Sequence, residues 1–390
     1  VTGVYRIGAM PRLVGGAGAL GHLPETIDPG CASVLLVCDA GVAAAGLGDC
    51  AAEALGTKRS IEWFVAPAGE PTVATVDAAA ACARALERPA IIGLGGGTAL
   101  DIAKLVSGLA RVDDGIAHYA LGAATFPERA PAVMVPTTAG TGSEVTRTCI
   151  LSDETGRKLW AWSEVLAPDA VVLDPRLTAS LPRPLTVGTG LDAFVHALEA
   201  ATGRSANPLS EAHALRAIRF ATDALGQAAS VPDDLDARAS MQHAALLAGM
   251  AIDAAGTGIA HNIGHALGSL YHVPHGIAVA LGLQASLSWS IEAAPRRFAA
   301  CAEAFAHAGH AGDLAAAFDA WLDRLAFAQI AGTHLPHAVD ATALAASMLA
   351  PENAPMARNS ARPATAEDLR RLADRVAELC GQYARGGAVA

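Results

Sequence analysis

Apolar runs alternate with helix-period patterns through the first 180 residues of the chain. Residues 33–38 (SVLLVC) and 90–94 are short and unbroken, the pattern of strands buried on both faces of a parallel sheet. Residues 61–65 and 132–135 read as two further strands, and 1–30 as a β-edge with a glycine-rich connection. Helices are expected over 43–55, 75–86 and about 99–109. Strand–helix alternation predicts an α/β domain with a mainly parallel sheet over residues 1–180. After Leu173-Asp174-Pro175 the pattern changes. Residues 177–185, with Pro182 and Pro184, read as a linker. Beyond it only helical patterns follow, over 187–201, 208–225, 236–254, 257–270, 276–289, 294–307, 313–326, 341–349 and 366–380. This predicts an all-α domain over 181–390, and a chain of 390 residues is long enough for about two domains.

Composition narrows the class. Apolar residues make up 52% and charged residues 17%, but much of the apolar share is alanine, and no stretch approaches the roughly 20 strongly apolar residues of a membrane span. The opening VTGVYRIGAMPRL lacks the charged and apolar regions of a signal peptide. A net charge of −11 argues against nucleic acid or an anionic membrane as partner. The seven cysteines, at 31, 38, 50, 82, 149, 301 and 380, are odd in number, scattered and without a C-x-x-C pair. They read as reduced thiols of a cytoplasmic protein.

The chemistry concentrates in residues 258–282 (GIAHNIGHALGSLYHVPHGIAVALG), which hold four of the thirteen histidines. His261 and His265 stand at i, i+4, on one face of a helix. Val273-Pro274 breaks that helix, so His275 lies past a turn from which it can fold back beside His261. Upstream, Asp192 and His196 repeat the i, i+4 spacing. Asp192, His196, His261 and His275 make a set of three nitrogens and one oxygen, suited to Fe²⁺ or Zn²⁺ and too rich in nitrogen for Mg²⁺ or Ca²⁺. His265 is then spare and free to act as an acid or base, and His272 reads as an outer or surface residue.

Two glycine–threonine loops follow predicted strands: Gly95-Gly96-Gly97-Thr98 and Pro136-Thr137-Thr138-Ala139-Gly140-Thr141-Gly142-Ser143. Each can turn several backbone N–H groups toward an anion, and the first also opens a helix whose N-terminus favours phosphate. Neither is a G-x-G-x-x-G fingerprint or a Walker A loop. Asp39, at the carboxyl end of a strand, can accept from a ribose 2′-OH and repel a 2′-phosphate, which favours NAD over NADP; it can equally cap a helix. It precedes the first loop instead of following it, so the strand order differs from an ordinary Rossmann unit. The nucleotide loops fall in the α/β domain and the histidines in the helical one, so a cleft between the two is the expected meeting place of nicotinamide and metal.

These motifs resemble those of the iron-containing, group III alcohol dehydrogenases along nearly the whole chain. The segment 95–104 (GGGTALDIAK) is similar to the family's GGGSxxDxAK, and 136–146 (PTTAGTGSEVT) matches closely. Residues 190–199 (GLDAFVHALE) resemble its G-x-D-A-x-x-H-x-x-E, the histidine stretch its H-x3-H-x9-H-G, and 359–369 (NSARPATAEDL) its C-terminal NPR-x-x-T-x-x-D. The resemblance implies a dehydroquinate-synthase-like fold, a homodimer, metal at Asp192, His196, His261 and His275, and His265 as proton relay. It implies NAD contacts at Asp39, Gly95, Gly96, Gly97, Thr98, Thr137, Thr138 and Lys158, with Asp101 toward the phosphates or the nicotinamide side. The expected activity is metal-dependent, NAD-linked hydride transfer between a small alcohol and its aldehyde. Alternatives are a maleylacetate-reductase-like enzyme, with Arg147 receiving a carboxylate, and a dehydroquinate-synthase-type lyase, for which the metal region is poor in Lys and Arg. Three departures stand out: Thr98 for the usual Ser, Glu70 where many members have Asn, and Ile252 for an aromatic that lines the substrate pocket in some members.

Overall fold

A computed structural model describes residues 4–306 and 313–386. The chain divides into two compact units, one built from 7–181 with 232–242, the other from the described parts of 1–6, 182–231 and 243–390.

The first unit is organised by a six-stranded parallel sheet. Its strands are β1 (Arg12–Gly15), β2 (Ser33–Asp39), β3 (Ser60–Ala66), β4 (Pro89–Gly95), β5 (Ala132–Pro136) and β8 (Ala170–Leu173), in the order β1-β8-β5-β4-β2-β3. The strands expected at 33–38, 61–65, 90–94 and 132–135 therefore form, each to within a residue or so. Leu36, Cys38, Ile92, Leu94, Val133 and Val135 share one buried core with Leu23 and Leu55. The helix Gly97–Leu109 follows β4, and from Ala99 onward every residue of it is buried. It lies so close to the sheet that a Cβ on Gly93 would come within 2.8 Å of Ala103 Cβ.

Three features depart from the sequence pattern. The helix expected over 43–55 is two, Ala40–Ala44 and Leu47–Leu55, parted at Gly46, whose φ of 72° lies in the left-handed region that glycine tolerates. The segment 148–162 forms an antiparallel hairpin, β6 (Thr148–Ser152) with β7 (Lys158–Trp162), that the strand–helix rhythm did not announce. The linker expected over 177–185 is shorter, because the helix Arg183–Thr202 already contains Pro184 in its first turn, where proline costs no hydrogen bond.

The second unit is helical among the described residues. Its long helices include Arg183–Thr202, Pro208–Ser230, Ile259–Tyr271, His275–Ala293, Pro295–Ala306, Leu314–Arg324 and Ala366–Gly386. Residue 307, the expected end of the 294–307 helix, lies outside the described residues. The rings of Phe194, Phe305, Phe318 and Trp321 pack together on one side of the Arg183–Thr202 helix. The His275–Ala293 helix meets two neighbours backbone to backbone. A Cβ on Gly276 would lie 2.1 Å from Gly188 O of the Arg183–Thr202 helix, and one on Gly282 would lie 2.4 Å from Ala260 O of the Ile259–Tyr271 helix.

The C-terminal motif is a clamp. Asn359 Nδ2 donates to Ala255 O and Thr257 O, holding the corner that leads into the Ile259–Tyr271 helix. Thr365 and Asp368 bond each other reciprocally and start the last helix. Among the described residues no single helix is long and apolar enough to cross a membrane.

Candidate functional site

Asp192, His196 and Glu199 stand at i, i+4 and i+7 on the Arg183–Thr202 helix, which is buried throughout its second half. His261 and His265 lie on the Ile259–Tyr271 helix. His272 ends that helix in the left-handed conformation, φ 54°, and is exposed; His275 then opens the next helix behind Pro274. The turn brings His275 back: its Nε2 is 3.6 Å from Asp192 Oδ1, and His261 Nε2 is 3.5 Å from the same oxygen. Ligand atoms of Asp192, His261 and His275 all lie within 4.8 Å of one another. An ion about 2.1 Å from each donor of a tetrahedral site spaces those donors about 3.4 Å apart, so the observed separations suit one. His196 stands beside this trio. Its Nδ1 is 3.8 Å from Asp192 Oδ1, and its ring stacks on His261 with centroids 4.3 Å apart.

The polar accounting also points to a cation. Asp192 Oδ1 and His261 Nε2 are buried with no hydrogen-bond partner, an arrangement that ordinarily costs about 1–3 kcal/mol per group. Burial pushes the Asp192 carboxyl up, but the imidazoles of His196, His275 and His261 outweigh it and hold it well below the usual range. Burial pulls His261 down, yet the carboxylates of Glu199 and Asp192 carry it up to about 9. The pocket thus stabilises positive charge at the point where the donors converge, and a divalent metal fits it.

Glu199 supplies what the sequence pattern left unread. Its carboxylate accepts from Gly258 N (2.8 Å), Ala260 N (2.6 Å) and His261 Nδ1 (2.6 Å). With Nδ1–H committed to Glu199, Nε2 is the nitrogen that would give up its proton and turn its lone pair to a metal beside Asp192. Glu199 closes the 190–199 motif, three residues after His196, but its place in that motif did not show which group it binds. Glu199→Gln is expected to weaken divalent-metal affinity roughly 10- to 100-fold, measured by competition with a chelator; unchanged affinity would show that Glu199 does not orient His261.

His265 is half-buried, with its ring 6.5 Å from that of His261 and 5.6 Å from that of His275. It is beside the cluster without belonging to the trio.

The two glycine–threonine loops meet at the carboxyl ends of β4 and β5. Thr137 N donates to Gly95 O (2.9 Å). A Cβ on Gly96 would lie 3.2 Å from Thr138 Cγ2, and one on Gly97 would lie 2.8 Å from Thr141 Cγ2. Gly95 has φ 155°, and a Cβ there would approach both Ala99 and Asp39 Oδ2, at 2.7 and 3.1 Å. Asp39 caps the helix Ala40–Ala44 through Val42 N (2.9 Å) and stands next to the first loop. The capping reading of Asp39 is thus realised, together with a position compatible with the other.

Asp101 is turned inward. Its carboxylate accepts from Ser143 Oγ and from Ile150 N (2.8 Å), and lies 3.2 Å from the fully buried Lys104 Nζ. Lys104 also donates to Thr146 O (3.1 Å) and Thr148 O (2.9 Å). Asp101 and Lys104 therefore pin the second loop and the hairpin to the Gly97–Leu109 helix. The Arg147 side chain is 6% exposed, sits 2.5 Å from Glu164 Oε1 and faces the Trp162 ring, so its guanidinium is already engaged by a carboxylate of the protein. Lys158 Nζ lies 2.7 Å from Glu70 Oε1.

Under the second loop, burial pushes the Glu144 carboxyl up to about 7, only partly offset by its own backbone N–H and by Lys104. A carboxyl whose pKa is raised on folding favours the folded state below its ordinary value of 4.5 and loses that contribution as pH rises through about 7. Glu144→Gln should abolish this slope. From pH 5 to 8 its unfolding midpoint should gain on the wild type's by an amount worth on the order of 3 kcal/mol; parallel profiles would contradict the burial argument.

A parallel sheet carrying two glycine–threonine loops, with a helical unit holding a buried Asp–His cluster, is the build of a metal- and dinucleotide-dependent enzyme. Two family models match, "Iron-containing alcohol dehydrogenase" over residues 11–175 and "Fe-containing alcohol dehydrogenase family, C-terminal" over 186–329. The chain is 36% identical to 1-propanol dehydrogenase PduQ of Citrobacter freundii over 271 residues, 69% of each chain. It is 35% identical to long-chain-alcohol dehydrogenase 1 of Geobacillus thermodenitrificans over 301 residues, 76% of each. The crystal structure of a 1,3-propanediol oxidoreductase superposes with a TM-score of 0.86 at 28% identity, covering 96% of this chain and 100% of that one. The chain belongs to the iron-containing alcohol dehydrogenase family, and it is an oxidoreductase with the dehydroquinate-synthase-like fold that its motifs implied.

Proposed function

We propose that the protein is a metal-dependent, NAD-linked alcohol dehydrogenase or aldehyde reductase, with Fe²⁺ or Zn²⁺ held by Asp192, His196, His261 and His275. The observation that carries this reading is the pair of buried donors, Asp192 Oδ1 and His261 Nε2, left without hydrogen bonds where the ligand atoms converge. When bound, the metal supplies Lewis-acid polarisation of the substrate oxygen and the nicotinamide supplies the hydride acceptor or donor.

The chain's own residues do the rest. Glu199 fixes His261 with Nε2 available. His265 exchanges a proton at its ring nitrogen with solvent, a task suited to an imidazole near neutrality. Asp39 accepts from the ribose hydroxyl and repels a 2′-phosphate. Backbone N–H groups of Gly96, Gly97, Thr98 and Thr138 cradle the diphosphate, and Thr137 fixes the second loop to the first. Asp101, whose carboxylate is engaged by the second loop, acts by positioning that loop. The proposal includes a homodimer, as the family resemblance implies, and a cytoplasmic protein with no nucleic-acid or membrane partner, supported by the net charge of −11 and the scattered cysteines.

The test is NADH formation against straight-chain alcohols from two carbons upward, diols and hydroxy acids, with NAD and NADP compared. The panel must span chain length because relatives of similar identity are named for 1-propanol and for long-chain alcohols. NAD-linked oxidation of at least one uncharged alcohol is expected. A preference for NADP, or turnover of hydroxy acids alone, would overturn the reading.

A further inference from the structure

Lys158 begins the hairpin strand β7, and its side chain is only 7% exposed. The Glu70 carboxylate opposite it is 45% exposed and also accepts from Ser152 Oγ (3.2 Å). The segment carrying Glu70 is pinned on both sides. Thr98 Oγ1, in the first glycine loop, donates to Gly69 O (3.0 Å), and Ser152 N donates to Pro71 O (2.7 Å). The contacts Thr98–Gly69, Glu70–Lys158 and Ser152–Pro71 thus tie a buried ammonium and a half-exposed carboxylate directly to the loop assigned to the dinucleotide.

We propose that Glu70 is a built-in competitor for Lys158: an incoming dinucleotide takes the ammonium from the Glu70 carboxylate, exchanging one ion pair for another. This rests on the reading of the glycine–threonine loops as an NAD site. The asymmetry of the pair sets the direction of the exchange. Lys158 is buried and needs an anionic or hydroxyl partner at all times. Glu70 can turn to solvent at little cost, because half-exposed ion pairs contribute only weakly. The ligand's diphosphate therefore gains a charge-assisted bond but first displaces one. Glu70 weakens ground-state affinity for the cofactor and speeds its release, which matters for an enzyme whose turnover ends in letting NADH go.

The experiment is calorimetric binding of NAD, ADP and adenosine to the full-length protein. Wild type, Glu70→Gln, Glu70→Asn, Lys158→Met and the Glu70→Gln/Lys158→Met double variant are compared at low and high salt. Both Glu70 variants are expected to bind NAD and ADP about tenfold more tightly at low salt, with dissociation slowed to match, and adenosine unchanged. The gain should vanish in the double variant, because it is the Lys158 charge that is released. Unchanged or weaker ADP binding by both Glu70 variants, or a gain that survives loss of Lys158, would overturn the proposal. Failure of the wild type itself to bind NAD and ADP would instead reject the dinucleotide reading on which it rests.

Discussion

Asp192→Ala is expected to fold, to purify without stoichiometric divalent metal, and to oxidise alcohols at least a thousandfold more slowly than the wild type. Asp192 is the one carboxylate in the set, and the nearest nitrogens of His196, His261 and His275 all lie within 3.8 Å of its Oδ1. Removing it leaves neutral imidazoles, which bind a divalent ion less well, and takes away the charge that balances the ion in a buried site. The loss of Lewis-acid polarisation, worth several kcal/mol, gives the expected factor. His265→Ala separates the roles. It should retain metal and lose roughly 10²- to 10⁴-fold in turnover, the range for a general acid–base group. Metal content and kcat measured on both variants decide the matter, and equal metal loss in the two would reject this division of labour.

Gly276→Ala should also damage the metal site, although it touches no ligand. Its Cβ would fall 2.1 Å from Gly188 O and 2.5 Å from Gly188 C, so backbone meets backbone and no side chain can yield. Gly276 follows His275 directly, and Gly188 lies one helical turn before Asp192. Relieving the clash separates the two helices that supply those ligands. Overpacking of this kind costs about 1–3 kcal/mol, and a displacement of about 1 Å at a reacting site can cost about a hundredfold in rate. The expected outcome is a lower unfolding midpoint and chelator-labile metal. Gly188→Ala is the control, because nothing lies within 4 Å of the position its Cβ would take; in mid-helix it should be neutral or stabilising by up to about 1 kcal/mol. Equal damage from both substitutions would show that helix flexibility, and not close approach, is what the glycines provide.

The contrast between these glycines explains how far the sequence could be read. Spacing within one element was legible: Asp192 with His196, His261 with His265, and the apolar runs that became β2, β4 and β5. The return of His275 was legible too, because Val273-Pro274 marks the turn. What two elements do to one another was not. Gly276 and Gly282 could be read as suiting close helix packing, but nothing local shows that Gly276 meets Gly188, or that Glu199 reaches across to His261, 62 residues on. Asp101 carried a motif position but not its orientation, which depends on Ser143 and on a hairpin whose five-residue strands are too short for periodicity to register. Lys158 and Glu70 are 88 residues apart, so their pairing is a property of the fold alone.

The central claim is that the convergence of Asp192, His196, His261 and His275 binds the metal on which hydride transfer depends. The most direct measurement strips the wild-type protein with chelator, reloads it with Fe²⁺ or Zn²⁺ to known stoichiometry, and follows NADH formation from an alcohol substrate against metal content. Activity rising in proportion to metal and saturating at one ion per chain, with none in the stripped protein, is the expected result. Full activity in protein shown to hold no metal would contradict the account.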